Sequence, residues 1–453
     1  MVVIKNKQVL LSHGNVEGRS IALDIIEYAL VAVDAYELVR RTVFVEGQTL
    51  NVGHLKYDLS RVRNIYVVGA GKGSVRIAEA LEDILGSRIS AGMMIEKRGQ
   101  GRKLKTVKVA EGSHPIPDEA GLEAAKEVVE IAKGAQDGDL VFVGVTGGCS
   151  ALMPLPADGI SLDDKKRVTD LLLKCGATID EINAVRNHIS AIKGGRLAIY
   201  AHPAEVINLI LVDEVAGLPW GPTVPDPTTF PDSIRILKKY GLWEKVPDSV
   251  RRHLEMGLNT QNMETPKPKD FERLKVHDVV LASIETACEA AKRRAEELGL
   301  NSIILSTVME GESREAGIVL ASIAKEVEKK HRPIKPPCVL IAGGETTVTV
   351  TSQSGEGGPS QELALSFSLK IHNNKKIVLA SMDTDGTDGP TDVAGGIVDG
   401  YTLDRAEEKG IDVYENLMKH SSSYVLKELG DVIITGPTGT NVADLNVIVV
   451  DGL

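Results

Sequence analysis

The feature that most constrains the fold is a short apolar run, followed by a glycine turn and then by a stretch with helical periodicity. Residues 64–70 read Asn-Ile-Tyr-Val-Val-Gly-Ala, and residues 69–74 read Gly-Ala-Gly-Lys-Gly-Ser before an amphipathic stretch. This order predicts a strand, a tight turn and a helix. The N–H groups and the dipole of a helix start favour an anion, so Lys72 indicates a phosphate or carboxylate ligand. The alternative is a solvent-exposed lysine on an ordinary turn.

The turn matches neither of two common phosphate-binding motifs in full. It lacks the spacing Gly-x-x-x-x-Gly-Lys-[Ser/Thr], and Ser74 stands where Gly-x-Gly-x-x-Gly requires its last glycine. The motif alone therefore does not identify the ligand.

The chain length predicts more than one domain. With 453 residues it exceeds one ordinary hydrophobic core. Five prolines in residues 219–232 and a polar stretch at 259–272 mark a border. We therefore expect domains at residues 1–258 and 273–453.

Strand and helix patterns alternate on both sides of this border. This alternation predicts an α/β fold with a parallel sheet covered on both faces, followed by a smaller α/β domain. The predicted elements are a long helix over 20–39, a helix over 122–133, a strand over 140–145, a helix over 162–175, a strand over 205–213, a helix over 284–298, a strand over 302–308, a helix over 313–331 and a strand over 337–342.

Charge and composition exclude several classes of partner. The formal net charge is −11, aromatic residues make up 4% of the chain, and no dense Lys/Arg block occurs. Nucleic acids and membrane surfaces are therefore not expected as partners. The sequence shows no signal peptide and no membrane span. Four scattered cysteines predict a reducing, cytoplasmic location without structural zinc. A homodimer is compatible with this sequence.

Four glycine turns follow apolar strands, at residues 69–74, 146–150, 342–347 and 435–441. Ligands of α/β sheets bind beyond the carboxyl ends of the strands, where such turns gather. We therefore expect these turns to bind a nucleotide or another phosphorylated ligand. The candidate residues are Gly71, Gly147, Gly148, Gly343, Gly344, Thr346, Thr438 and Asn441.

Carboxylates follow two further apolar runs. Asp213 ends the 205–213 strand, and residues 383–392 contain Asp383, Asp385, Asp388 and Asp392. Crowded carboxylate oxygens suit a magnesium ion that keeps several waters and bridges phosphates. We expect Asp383, Asp385 and Asp388 as metal ligands. Capping of turns and helix starts is the alternative for at least two of the four.

A basic segment supplies the candidate anion clamp. If residues 184–198 form one helix, Arg186, Ser190 and Lys193 share a broad face that could hold a small carboxylate. A solvated basic face is the alternative. His114 and His188 are expected to be structural. Cys149 lacks the Gly-x-Ser-x-Gly context of a hydrolase nucleophile.

Eight motifs in order give the chain its resemblance to a known family. They are GAGKGS, AEGSHPIPDEAG, VTGGCSALMPLP, NAVRNHISAIKGGRLA, VPDPTTF, GGETTVTV, DTDGTDGPTDVAGGIVD and GPTGTNVADL. From about residue 20 to its end the chain resembles the type-II (MOFRL-domain) glycerate 2-kinases. The resemblance implies phosphorylation of D-glycerate to 2-phosphoglycerate by ATP with a divalent metal, usually Mg²⁺. It also implies a Rossmann-like N-terminal domain, a smaller C-terminal α/β domain and a site in the cleft between them.

The resemblance also suggests roles for individual residues. Lys72 would hold the substrate or the transferring phosphate, and Arg186 would lie on the glycerate side. We add Ser150 and Lys193 as substrate-binding candidates. Asp213 or Asp385 would lie near the attacking hydroxyl.

The sequence departs from the family pattern at three places. Pro359 replaces an arginine of the common Gly-Gly-Arg-Asn-Gln-Glu run, Cys149 replaces a glycine, and Trp220 replaces a serine. Lys193 or Arg196 is the candidate substitute for the lost arginine charge.

Two other functions remain open. An NAD(P)H-dependent hydroxypyruvate reductase would also use a strand, a glycine turn and a helix, although only Glu96 is placed to hold a ribose. A non-catalytic nucleotide-binding regulator would bind ATP without turnover.

Overall fold

The structure is a computed structural model that describes residues 4–212, 221–350 and 355–451. Its described residues form two compact units. The central unit lies within Val39–Ile210 and Pro219–Leu281, and the terminal unit lies within Met1–Leu38, Leu211–Leu218 and Ala282–Leu453. Each compact unit is made of separate segments, so the units interleave along the chain. The domain boundaries predicted from the sequence, 1–258 and 273–453, stay a prediction.

The strands of both units are short and mostly apolar. They are β1 (Val43–Glu46), β2 (Thr49–Val52), β3 (Leu55–Asp58), β4 (Ile65–Ala70), β5 (Ile89–Lys97), β6 (Lys108–Gly112), β7 (Leu140–Val145), β8 (Glu205–Leu211), β9 (Val276–Ala282), β10 (Asn301–Met309), β11 (Cys338–Gly344), β12 (Ile377–Asp383), β13 (Gly395–Asp399), β14 (Val432–Ile433) and β15 (Asp444–Val450).

The α-helices connect these strands and cover the sheets. They are α1 (Lys7–Leu10), α2 (Val16–Ala32), α3 (Ala35–Thr42), α4 (Ser74–Leu85), α5 (Glu119–Gly134), α6 (Cys149–Leu152), α7 (Leu162–Lys174), α8 (Ile179–His188), α9 (Arg196–Ala201), α10 (Phe230–Lys239), α11 (Asp248–Asn259), α12 (Pro268–Phe271), α13 (Ile284–Glu297), α14 (Ser313–Lys330), α15 (Pro359–Ile371), α16 (Thr402–Glu408), α17 (Val413–Met418) and α18 (Ser422–Leu429). None of these described helices is long and apolar enough to cross a membrane.

The central unit is built on a six-stranded sheet of order β6-β5-β4-β7-β8-β9. The pairs from β6 through β8 are all parallel. Every residue of β7 is buried, as expected for a strand covered on both faces. The apolar sides of β4 and β7 pack with α5 in one core. A separate antiparallel sheet joins β1, β2 and β3.

The terminal unit is built on a mixed sheet of order β10-β11-β15-β12-β13-β14. β10 and β11 are parallel, and the other pairs are antiparallel. β15 lies inside the sheet and is buried along its whole length. α2 packs against α13 and β15. The prediction of an α/β fold with two sheet-based units is confirmed.

The predicted single helix over 20–39 is wrong. α2 ends at Ala32, and α3 begins at Ala35. The Oδ1 atom of Asp34 accepts a hydrogen bond from the backbone N of Glu37 at 3.0 Å. This local cap starts a new helix and interrupts a stripe that looks continuous in sequence.

A buried ion network fixes α2 to the terminal-unit sheet. Arg19 is 0% exposed, and its Nε donates to Asp399 at 2.5 Å while its Nη1 donates to Asp431 at 2.8 Å. Asp431 also accepts from Arg405 at 2.6 Å and pairs with His13 at 2.8 Å. Burial alone would raise the pKa of Asp431, but Arg19, His13 and Arg405 outweigh it and lower the pKa to about 2.

We expect Arg19→Met to destabilise the protein strongly. The substitution leaves two buried carboxylates without a main partner, which typically costs about 3–5 kcal/mol of the free energy of unfolding. Denaturant unfolding followed by circular dichroism measures the loss. Lys419→Met is the control, because Lys419 pairs with Glu415 on the surface; its effect should stay within about 0.5 kcal/mol. Equal effects of the two substitutions would contradict a stabilising role for the buried network.

Candidate active site

The first group of candidate residues lies at one edge of the central-unit sheet. β4 and β7 are parallel, with Ala70 opposite Val145, so the turns that follow them are neighbours. The first turn contains Lys72, and the second spans residues 146–150. The candidates brought together here are Gly71, Lys72, Gly147, Gly148 and Ser150. Asp213 lies outside the described residues.

The backbone N–H groups of the first turn are used inside the protein. Those of Gly71, Lys72 and Gly73 donate to acceptors in β5 and the second turn, at 3.1, 2.9 and 3.0 Å. The prediction that the N–H groups of this turn receive an anion is therefore wrong at these three positions. Groups other than these three N–H donors must hold any anion that binds beside them.

Gly71 is required by the contact between the two turns. Its φ is +141°, and a Cβ placed on it would lie 2.1 Å from Thr146 Oγ1 and 2.5 Å from Thr146 O. A side chain at this position would push the turns apart. The glycine therefore serves the approach of protein backbone to protein backbone.

Lys72 and His114 both lie against Gly148. A Cβ at Gly148 would be 3.0 Å from His114 Cδ2 and 3.3 Å from Lys72 Cγ. Gln100 Nε2 donates to Lys72 O at 3.4 Å. The aliphatic part of Lys72 is thus packed along the second turn, which restricts where its ammonium group can reach.

The predicted helix over 184–198 is wrong as a continuous element. α8 ends at His188, and α9 begins at Arg196. Gly194 and Gly195 lie between them with φ of +59° and +84°, a conformation that a regular helix does not contain. The basic side chains therefore do not share one helix face.

The segment nevertheless directs two cations to the second turn. Lys193 Nζ donates to Ser150 Oγ. Burial lowers the pKa of the Arg186 guanidinium, and an electrostatic interaction with Cys149 acts against this lowering. Arg186 Nε is buried and has no hydrogen-bond partner among the described residues. Three cations thus lie along the turn at 146–150. Lys72 packs against Gly148, Arg186 interacts with Cys149, and Lys193 donates to Ser150.

Sequence reasoning missed one more cation in this neighbourhood. Lys165 lies in α7, in a run of five charged residues at 163–167 that is typical of a solvated helix face, yet its exposure is only 4%. Its Nζ donates to Leu155 O at 3.1 Å. The signal that could have separated it from Lys166 is helical spacing, because Lys165 lies on the same stripe of α7 as the apolar residues Leu162, Val168 and Leu172.

Arg196 and His188 have structural partners. Arg196 donates to the carbonyls of Asn187 at 3.1 Å and Met263 at 2.8 Å. His188 bonds to Ala184 O at 2.7 Å and to Glu264 at 2.8 Å. The structural interpretation of His188 is confirmed, and Arg196 is engaged in holding backbone segments together.

The second group of candidates lies at one edge of the terminal-unit sheet. β11 and β12 both pair antiparallel with β15, so their carboxyl ends flank its start. Gly344 is opposite Asp444 on one side, and Asp383 is opposite Asp444 on the other. Thr438 N donates to Asp385 O at 3.1 Å. Two glycine turns and the aspartate-rich segment therefore meet here.

The aspartates of this segment cap local structure. Asp383 accepts from the backbone N of Asp385 at 2.9 Å, and Asp385 accepts from Thr387 N at 2.6 Å. Asp388 accepts from the backbone N of Ser360 at 3.0 Å and of Gln361 at 2.8 Å, at the start of α15. The expectation that at least two of the four cap turns or helix starts is confirmed. Burial raises the pKa of Asp388 to about 6.

Asp444 is a carboxylate that the sequence analysis did not select. Burial first, and then the charges of Asp383, Asp388, Glu345 and Asp385, raise its pKa well above the usual range. A divalent cation would relieve this repulsion, and oxygen ligands suit Mg²⁺. Among the described residues no group of three His, Cys, Asp or Glu side chains is arranged as a metal centre. The donor chemistry fits an ion that keeps most of its waters.

The other nucleotide-binding candidates of this unit have internal contacts. Thr346 Oγ1 accepts from Ser313 at 2.9 Å, and Thr438 Oγ1 donates to Thr384 O at 2.6 Å. A Cβ at Gly343 would lie 2.4 Å from Ile284 Cγ1, and one at Gly344 would lie 2.2 Å from Met309 O. Asn441 Oδ1 accepts from Ala443 N at 3.4 Å. The two glycines permit close packing within the unit.

Pro359 occupies the first position of α15. A proline is well tolerated there because this N–H has no helical partner. The helix start is closed by Asp388, which accepts from the two following residues. The position that carries an arginine in the family pattern is therefore a capped helix terminus in this chain. Trp220, the third departure, lies outside the described residues.

Comparisons with known proteins identify the family to which this chain is similar. A family model described as a domain of unknown function, DUF4147, matches residues 21–255, and the MOFRL family model matches residues 338–444. The chain is 45% identical to a glycerate 2-kinase of Pyrococcus horikoshii, over 95% of this chain and 97% of that protein.

Two further relatives bear on the function. A D-glycerate 2-kinase of Thermotoga maritima is 38% identical over 94% of this chain and 97% of its own length. The crystal structure of a glycerate kinase from the same organism superimposes with a TM-score of 0.79 at 37% identity, covering 95% of this chain and 99% of that one. A putative hydroxypyruvate reductase of Agrobacterium vitis is 38% identical over 85% of this chain and 86% of its length.

We expect Asp388→Ala to lower the stability of the terminal unit. The substitution leaves the buried N–H groups of Ser360 and Gln361 without their acceptor, a loss of about 1–3 kcal/mol in the free energy of unfolding. Chemical denaturation without added metal measures the effect. The control is Asp392→Ala, whose carboxylate is 87% exposed, and it should change stability by less than about 0.5 kcal/mol. An Asp388→Ala protein as stable as the parent would contradict the capping role.

Proposed function

The chain belongs to the type-II (MOFRL-domain) glycerate kinase family and is a kinase that acts on glycerate, and we propose that it phosphorylates D-glycerate to 2-phosphoglycerate with ATP and a divalent cation. Acceptor and phosphoryl donor are both anions, so the reaction requires positive groups at fixed positions.

The observation that carries this proposal is the set of cations along residues 146–150. Lys72 packs against Gly148, and Lys193 donates to Ser150. Arg186 Nε is buried without a hydrogen-bond partner among the described residues. In a protein of net charge −11, such a local concentration of positive charge supports an anionic ligand.

We assign separate roles to these side chains in the proposal. Arg186 pairs with the carboxylate of glycerate, because a planar guanidinium suits bidentate contact. Lys193 and Ser150 orient the same acid. Lys72 offsets charge on the transferring phosphoryl group. Asp213 as the group near the attacking hydroxyl stays a prediction.

The nucleotide side of the proposal lies in the terminal unit. Asp383 and Asp444 would hold Mg²⁺, with Asp385 as a further candidate, since Asp388 is occupied by the start of α15. When bound, the ion would neutralise phosphate charge. The glycine turns at 342–347 and 435–441 stay the predicted contacts of ATP. In the central unit Gly147 and Gly148 also stay predicted contacts, whereas the N–H of Gly71 already donates to Ile95 O.

The reductase alternative has less support from the site. Glu96, its only candidate for a ribose hydroxyl, is 1% exposed and accepts from the backbone N of Arg102 at 3.2 Å. The N–H of Gly71, which a dinucleotide pyrophosphate would need, donates to Ile95 O at 3.1 Å. Two relatives carry the name of a putative hydroxypyruvate reductase, so the experiment proposed below assays both activities.

We expect Lys72→Ala to reduce kcat/KM for glycerate about 10²- to 10³-fold, the range known for a single electrostatic group at a reacting centre. A coupled ADP-release assay gives the value. Lys126→Ala is the control, because this lysine lies on α5 and pairs with Glu123 on the surface. A Lys72→Ala enzyme close to the parent in kcat/KM would remove Lys72 from the mechanism.

We expect phosphorus NMR of a reaction with D-glycerate and Mg-ATP to show 2-phosphoglycerate. The 2- and 3-phosphates give distinct signals, so the product is identified directly. A parallel incubation with hydroxypyruvate and NADH should leave the absorbance at 340 nm unchanged. Formation of the 3-phosphate would overturn the regiochemistry, and NADH consumption without phosphorylation would favour the reductase. ATP binding without any turnover would favour a regulator.

A further inference from the structure

Lys165 is linked to the candidate site through one carbonyl group. Its Nζ donates to Leu155 O at 3.1 Å, and Ser190 Oγ donates to the same oxygen at 3.0 Å. Ser190 Oγ in turn accepts from the backbone N of Lys193 at 3.3 Å. Lys193 reaches Ser150 through its ammonium group. Lys165 therefore belongs to the hydrogen-bonded framework that positions Lys193.

The surroundings of Lys165 disfavour its charge. Lys165 is buried, its Nζ donates to an uncharged carbonyl, and the charges that disfavour its protonated form are the cations Lys193, Arg186 and Arg196. Burial and these three charges lower the pKa of Lys165 well below its usual range. The two acids next to Lys165 in sequence are engaged elsewhere, since Asp163 pairs with Lys166 and Asp164 accepts from Ser249.

An anion beside Arg186 would offset part of this repulsion. Arg186 Nε is buried without a hydrogen-bond partner among the described residues, so an anion bound there also enters a region of low dielectric. Opposite charge at short range favours the protonated form of a buried amine. Loading of the site and protonation of Lys165 should therefore favour each other.

We propose that Lys165 is a positioning residue that takes up a proton at Nζ when the carboxylate of glycerate binds beside Arg186 and Lys193. The proton comes from an acid of the solvent or buffer, whose bond to the proton breaks as the new N–H bond forms, and no other covalent bond changes. The identity of the acid rests on the proposed function. The protonated lysine holds Leu155 O, and through Ser190 it holds Lys193 in place for the acid.

The proposal fixes the direction of the pH dependence. Since binding takes up a proton, glycerate binds more weakly as the pH rises. Between the pKa values of Lys165 in the free and bound protein, the dissociation constant increases up to about tenfold per pH unit. His114 beside Lys72 and Cys149 beside Arg186 are the other titratable groups of this neighbourhood. They are tested separately.

Calorimetric titration of the full chain with D-glycerate tests the proposal. Titrations from pH 6.5 to 9 in two buffers of different ionisation enthalpy give the number of protons taken up. We expect the uptake to approach about one proton for the parent and for His114→Gln and Cys149→Ala. Lys166→Met is the matched control, because Lys166 pairs with Asp163 beside Lys165, and it should behave like the parent.

The Lys165 variants should abolish the coupling. Lys165→Met removes the titrating group, and Lys165→Arg keeps a permanent charge, so neither should show proton uptake or the steep pH dependence. Circular dichroism checks that each variant is folded. Absence of uptake in the parent would overturn the proposal without any variant. Uptake that persists in a folded Lys165 variant, or that disappears in His114→Gln or Cys149→Ala, would also overturn it.

A turnover assay with ATP separates this proposal from the function on which it rests. Phosphorylation of glycerate without proton uptake on binding would overturn the role of Lys165 and leave the kinase intact. If the protein neither binds nor phosphorylates glycerate, both proposals fail.

Discussion

The close approach of two parallel strands governs the central unit. A Cβ at Gly69 would lie 2.0 Å from Gly144 O, and one at Gly71 would lie 2.1 Å from Thr146 Oγ1. Only glycine allows the ends of β4 and β7 to come this near. The contact places Lys72 along residues 146–150, where Lys193 and Arg186 also arrive. The arrangement of these cations thus depends on Gly69 and Gly71, because a side chain at either position would keep the two strand ends apart.

The two units each contain a buried group whose charge is not balanced, and the two charges have opposite signs. In the central unit, Lys165 is surrounded by cations, and its charged form is disfavoured. In the terminal unit, Asp444 is surrounded by carboxylates, and its charged form is likewise disfavoured. By contrast, the buried charges of Arg19 and Asp431 satisfy one another. Uncompensated buried charge of one sign indicates a ligand of the other sign, whereas a paired network indicates stability.

Much of the fold could be predicted from the sequence because its signals are local. The β7 strand over 140–145 and the start of α13 at Ile284 follow from apolar runs and turn residues. The break at Asp34 and the end of α8 at His188 were missed, because a single cap or a glycine pair outweighs periodicity there. The family itself was recognisable from eight ordered motifs.

The sequence by itself determined the residue types of the candidate site and the family, since motifs and strand-turn-helix patterns are properties of neighbouring residues. Only the tertiary structure decided which of these groups are available. The N–H groups of the Lys72 turn donate to acceptors within the protein, Asp388 caps the start of α15, and Lys165 and Asp444 are buried. The physical reason is that burial and hydrogen-bond partners come from residues far apart in the chain. Spacing along the sequence carries no record of the hydrogen-bond partners.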